Sequence, residues 1–288
     1  MKFLPLSSYL ASAALALTLS LPVQAAVVFD ASFGSDFVNP VTGPANLNSV
    51  TATGTWSDFS GTASLSTFAL VDNAASTDAY LAMDQSAGVA AGTSASLRAN
   101  LTAPVGFTDG GSAAISFDLG RMRTTGGAGN DTDKNVFVTG FDSDGTLIFG
   151  LNWGGRGDLY HFESGTYSDV TATDEWGATG GTNSINSQLS EGSYNPAADG
   201  WVSFTITLEN GQVVYSVDGG DTSGAFATGS TNPLSYLVIG TGNDNQTINF
   251  GGGYDNLLVD GTVIPEPSSG ALIAVGSGLL LLLRRRRG

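Results

Sequence analysis

The residues able to do chemistry are few and unevenly spread. Cysteine is absent and His161 is the single histidine. Thiol nucleophiles and thiolate metal sites are therefore excluded. The histidine stands in "DLYHFE" with no Gly-x-Ser-x-Gly elbow anywhere to supply a nucleophile beside it. It reads as a strand residue facing solvent or a neighbour. Glycoside hydrolysis needs two carboxylates facing each other across a cleft. The glutamates Glu163, Glu175, Glu191 and Glu209 all fall in or beside expected loops, and no spacing pairs them. Three acidic clusters, "GNDTDKN" (129–135), "FDSDG" (141–145) and "GTGNDNQT" (240–247), hold the oxygen ligands that calcium prefers. None has the spacing of an EF-hand loop, and Asp142 and Asp144 read better as turn formers. Trp153, Tyr160, Trp176 and Tyr194 flank the polar segment 164–200 and offer faces on which sugars stack. Aromatics of a β-sandwich more often pack the core, as Trp201 does in this reading.

Such residues need a scaffold, and the composition indicates strands. Of 288 residues 40 are glycine, and only 12% are charged. That is the profile of many short strands joined by turns. The clearest element is "WVSFTITLENGQVVYSVDGG" (201–220), where Val202, Phe204, Ile206 and Leu208 alternate with polar residues. Asn210-Gly211 then marks a type I′ turn. A two-residue turn pairs Leu208 with Val213, Ile206 with Tyr215 and Phe204 with Val217, apolar pairs all on one face. A second hairpin is predicted over 135–153, turning at Asp144-Gly145 or over Asp142–Gly145. Further strands are predicted at 113–119, 234–240, 247–250 and 254–260. An earlier set is predicted near 27–29, 54–59 and 94–101. No ten-residue stretch of the body carries helical periodicity. The expected fold class is all-β, an antiparallel jelly-roll β-sandwich.

Residues 201–261 then resemble a family. The Trp201-led hairpin, "LVIGTGND" and "YDNLLVDG" look like the C-terminal half of concanavalin A-like, laminin-G-like jelly rolls. The resemblance implies a structural calcium held by an Asp of the closing strand together with the N-terminal strand. Asp255 stands at that position, and Asp30 is the acid nearest the mature N-terminus. A Glu-x-Asp-x-x-Glu strand, which the glycosidase members of this group carry, is missing. The resulting expectation is a non-enzymatic structural or binding protein, with carbohydrate as a candidate ligand. The alternative is a polysaccharide-acting enzyme or lectin-like module on the same scaffold.

The two ends read as addresses. Lys2, the apolar run 10–21 and the small residues before Ala26 form a signal peptide cut between Ala25 and Ala26. At the other end stand Pro265-Glu266-Pro267, an uncharged segment expected to be helical over about 269–283, and Arg284, Arg285, Arg286 and Arg287. The 14 residues 270–283 are short for a hydrocarbon core of about 30 Å. The arginines hold the cytoplasmic side. The triplet, apolar segment and arginine cluster, in that order and at the terminus, resemble the PEP-CTERM sorting signal. That resemblance implies a Gram-negative host and processing near the triplet by an exosortase-type enzyme. It also implies an inner-membrane-anchored precursor, and a mature protein at the cell surface or in an exopolysaccharide matrix. The domain reading is 1–25, 26–262 and 263–288. The whole chain carries a formal charge of −16, and the body between the two addresses keeps 5 basic and 25 acidic residues, a net −20. Such a body repels nucleic acid.

Overall fold

The computed structural model describes residues 24–33, 47–59, 68–72, 79–84, 93–123, 134–153, 159–163, 165–169, 202–217, 222–243 and 250–264. The chain separates into a body, Ala25–Val263, and the two ends, Met1–Gln24 and Ile264–Gly288. The predicted 269–283 helix, Pro265, Glu266, Pro267 and the four arginines lie outside the described residues, as do Trp176, Tyr194 and Trp201. Among the described residues no helix is long and apolar enough to cross a membrane.

The body is all-β. Its strands are β1 (Gln24–Ala31), β2 (Thr55–Asp58), β3 (Phe68–Asp72), β4 (Ala79–Asp84), β5 (Thr93–Gly106), β6 (Ser112–Arg123), β7 (Lys134–Phe141), β8 (Leu147–Trp153), β9 (Leu159–Glu163), β10 (Thr166–Asp169), β11 (Val202–Glu209), β12 (Gln212–Val217), β13 (Phe226–Ala227), β14 (Leu234–Asn243) and β15 (Phe250–Val263). Hydrogen bonding links them in the order β10-β9-β8-β7-β14-β5-β15-β6-β11-β12-β13, with β2 on β5, β1 and β4 on β15, and β3 on β4. Strands β5 and β15 meet only at Val105 and Gly106 against Thr262 and Val263. Around that seam the sheet curls so that its two halves face each other. The result resembles a jelly-roll sandwich, as expected.

Period-two alternation builds the core between the halves. In the first half Leu97, Ile239, Val138 and Leu151 lie in one cross-strand row, and His161 continues it. In the second half Val259, Ile115, Ile206 and Tyr215 form the matching row. All nine are buried. The Asn210-Gly211 hairpin has the predicted register, and both turn residues have positive φ, 53° and 72°. The second hairpin also forms, with Val138 opposite Leu151 and Phe149 buried beside them. Its Asp142 does more than turn the chain. The carboxylate is fully buried and accepts from the backbone N–H groups of Asp144 (3.0 Å) and Thr146 (2.8 Å). It also accepts from the Ser230 hydroxyl (2.8 Å) and Asn232 Nδ2 (2.9 Å) of the segment entering β14. One carboxylate thus pins two loops together.

Two tyrosines cross the core and tie the halves. Tyr254 of β15 accepts from the Phe137 N–H (3.1 Å) and has the Gly240 carbonyl at 2.8 Å for its own proton. Tyr215 of β12 donates to the Phe162 carbonyl (3.1 Å) and stacks on His161 at 5.3 Å between ring centroids. Burial pushes both phenols far above the ordinary tyrosine range.

Candidate functional site

The residues that alternate with the core set lie on the opposite face of the first half. Register places them in three cross-strand rows. Asn152, Phe137, Gly240 and Ser96 form one; Gly150, Thr139, Val238, Arg98 and Ser57 form the next. The third holds Leu147, Phe141, Tyr236, Asn100 and Thr55. Each strand contributes to this face because its other side is committed to the core.

An aromatic platform with a cation set into it occupies the middle of that face. The Arg98 guanidinium carbon sits 3.6 Å from the centroid of the Tyr236 ring, well inside cation–π range. Phe141 stacks on Tyr236 at 5.2 Å with 14° between planes. Phe59, just after β2, lies 6.1 Å from Phe141 and 6.3 Å from Tyr236. Tyr236, Val238, Thr139 and Ser96 of this face are buried, whereas Arg98, Asn100, Phe59 and Phe141 are partly exposed. Asn100 is fixed from the edge strand, donating to the Ser57 hydroxyl (3.0 Å) and the Thr55 carbonyl (3.2 Å). At the far side Gly150 leaves room for Tyr167. A Cβ on Gly150 would stand 2.2 Å from the tyrosine oxygen. The Tyr167 residue is 44% exposed, yet its hydroxyl end is tucked over Gly150, and that burial pushes its pKa up to about 12.

Of the predicted site residues that are described, Tyr160 continues the Asn152 row of this face, and the others fall elsewhere. His161 does not face solvent. Its position opposite Leu151 turns it into the core, between Tyr215 and Phe226, whose centroid is 4.4 Å away. Glu163 ends β9 opposite Thr166, and Glu209 is exposed beside the Asn210-Gly211 turn. Glu175 and Glu191 lie outside the described residues. Tyr160 is partly exposed and pairs with Asn152, while Trp153 pairs with Val136. Ala25 and Ala26 stand at the start of β1, and the core contribution of that strand begins at Val28, two residues past the expected cut. The calcium candidates sit on strands that are neighbours, since β1 pairs with β15. Asp30 accepts from the Ser32 N–H and hydroxyl. Asp255 is buried at a bulge in β15, opposite Asp118, and accepts from the Asn256 N–H (2.7 Å). Among the described residues no group of three or more His, Cys, Asp or Glu is arranged to hold a metal.

The class of protein so defined is an all-β, jelly-roll-like body with an aromatic and basic platform on one sheet face. No family model matches the chain, and no curated protein sequence does. Among solved structures it is similar to the endo-1,3-beta-glucanase from Streptomyces sioyaensis, at 12% identity over 85% of this chain and 99% of that one, TM-score 0.48. It is also similar to the alginate lyase AlgAT5 of polysaccharide lyase family 7, at 14% identity over 82% and 95%, TM-score 0.46. A sialidase is similar at 11% identity over 78% of this chain, TM-score 0.48, and the chain spans only 18% of that protein's length. These are likenesses of fold. The proteins so named are enzymes, and the expectation of a non-enzymatic protein is withdrawn.

Proposed function

We propose that this chain is an exported protein whose body engages polysaccharide, as a polysaccharide-acting or lectin-like module, and which is sorted through its C-terminal signal to the cell surface or matrix. The observation that carries the carbohydrate reading is the platform of Tyr236, Phe141 and Phe59 with Arg98 set into it. Aromatic planes flanked by a few fixed polar groups are the usual make-up of a small-ligand site, and Asn100 supplies one such group. The glucanase and the alginate lyase named above are enzymes of polysaccharides by their names. The ground for this chain is its own sheet face.

Residues 26–262 screened on a glycan array and against a panel of polysaccharide lyase and hydrolase substrates are expected to give binding or turnover on at least one polysaccharide. That signal should fall about tenfold or more in Tyr236→Ala, the loss of a stacked ring typical of an aromatic anchor. A body that neither binds nor cleaves any member would sink the reading.

The sorting part rests on Pro265-Glu266-Pro267, the apolar segment and Arg284–Arg287. Glu266→Ala, or deletion of Arg284–Arg287, is expected to trap the precursor in the inner membrane, uncut by the exosortase-type enzyme. Fractionation and immunoblotting would show this, and normal release of both variants would count against it. We further propose one structural calcium joining the first and last strands through Asp30 and Asp255. Chelation of the purified body is then expected to lower Tm by several degrees, and an unchanged Tm contradicts it.

A further inference from the structure

We infer that the Arg98–Tyr236 platform selects carboxylated sugars, so that its ligand is a uronic-acid polysaccharide; this rests on the polysaccharide reading above. The body carries 25 acidic residues against 5 basic ones. A partly buried arginine in such company ordinarily finds an acid. Arg98 makes no hydrogen bond or ion pair with any described residue, and its Nε is buried without a partner. A desolvated cation without a counter-charge is costly. Among the described residues, Asp58 and Asp142 do not relieve it. Asp58 pairs with Leu97 on the edge strand, and so alternates away from the row holding Arg98 and Ser57. Asp142 is committed to the two loops it joins.

The geometry also favours a carboxylate over a hydroxyl. The Tyr236 ring at 3.6 Å holds the guanidinium plane in place. Since Nε is closed off, the terminal nitrogens form the edge that meets a ligand. Two parallel N–H donors match the two oxygens of a carboxylate, which a single hydroxyl cannot do. Phe141 and Phe59, gathered about the same Tyr236 ring at 5.2 and 6.3 Å, would supply the apolar floor for the pyranose ring that carries the carboxylate. Long-range repulsion from the acidic body is confined to about 8 Å at physiological ionic strength. It slows encounter without cancelling a contact made at Arg98.

The test compares each acid with its own neutral ester. The full chain in mild detergent is titrated calorimetrically with oligogalacturonate, oligoglucuronate, oligomannuronate and oligoguluronate, and with the methyl ester of each. The expected result is that at least one acid binds about tenfold or more tightly than its ester. Arg98→Gln should erase that preference, so that the acid binds no more tightly than its ester, and Arg98→Lys should restore only part of it. If acid and ester bind alike, or only neutral glycans bind, the uronate assignment is overturned while the polysaccharide reading stands. If no glycan binds at all, both fail. Should Arg98→Gln not fold, the acid-to-ester ratio of the unmutated chain decides alone.

Discussion

Asp142→Ala is expected to lower the stability of the body by about 3 kcal/mol, the largest effect of any single substitution considered. The carboxylate is fully buried and accepts four hydrogen bonds, two from backbone N–H groups of its own loop and two from the segment before β14. Alanine leaves those donors facing an apolar methyl. The Ser230 and Asn232 side chains can rotate to other partners, whereas the Asp144 and Thr146 backbone N–H groups are fixed, so most of the cost falls on those amides. Burial alone would push the Asp142 pKa up, but the hydrogen bonds from Thr146, Ser230, Asn232 and Asp144 outweigh it and hold the pKa below its ordinary value of 3.8. The folded state therefore binds this proton less readily than the unfolded chain does. The contribution is fully present above the unfolded value and is lost as pH falls through the folded one. Urea unfolding of the wild type and Asp142→Asn should show a constant gap from pH 7 down to about pH 5. Below the ordinary aspartate value the gap should narrow. A gap that widens on acidification would contradict the assignment.

Tyr254→Phe carries the second large effect, about 2–3 kcal/mol. The hydroxyl reaches across the core from β15 and enters the ladder between β7 and β14. It accepts from Phe137 N–H, and its single proton goes to the Gly240 carbonyl at 2.8 Å or to the Phe137 carbonyl at 3.0 Å. The substitution conserves ring packing, so the loss isolates the cost of taking the hydroxyl away from the part-buried Phe137 N–H and the buried Gly240 carbonyl. Thermal or urea unfolding measures it. The urea slope should be unchanged, because the surface exposed on unfolding is the same. A loss under about 0.5 kcal/mol would mean that the two backbone groups find other partners.

Local grammar explains which parts of this structure could be read in advance. The Asn210-Gly211 hairpin is fully legible, because alternation and turn residues agree over sixteen described positions, 202–217. The Thr108–Gly111 turn between β5 and β6 carries an equally plain signal. Asp109 and Gly110 both have positive φ, 53° and 85°, and the Gly111 N–H donates to the Thr108 carbonyl. The predicted strands 94–101 and 113–119 stop short of it, because Pro104 and Gly106 interrupt the strand grammar of β5, which runs on to Gly106. Strand β15 reads as two segments, since Gly251–Gly253 break the apolar pattern that its ladder with β4 and β6 does not need. Whether His161 faces solvent or a neighbour is decided only when β9 is registered against β8. The platform is the least legible part. Leu97 and Ala99 reveal by their spacing that Arg98 and Asn100 share the other face. Nothing local says that Tyr236, Phe141 and Phe59 will arrive beside them. That needs the non-sequential order β2-β5-β14-β7. The aromatic residues singled out from the sequence lie around one long polar segment, whereas the observed cluster is assembled from distant strands.

The proposed function holds polysaccharide at the Arg98–Tyr236 platform of β5, β14 and β7. A crystal structure of residues 26–262 with an oligosaccharide drawn from the binding screen tests it most directly. The expected result is a sugar ring against Phe141 and Phe59, with a polar group of the sugar at the terminal nitrogens of Arg98. A sugar seated on the other half of the sheet, for instance over Asp118 and Ser203, with the Arg98–Tyr236 platform empty, would contradict it.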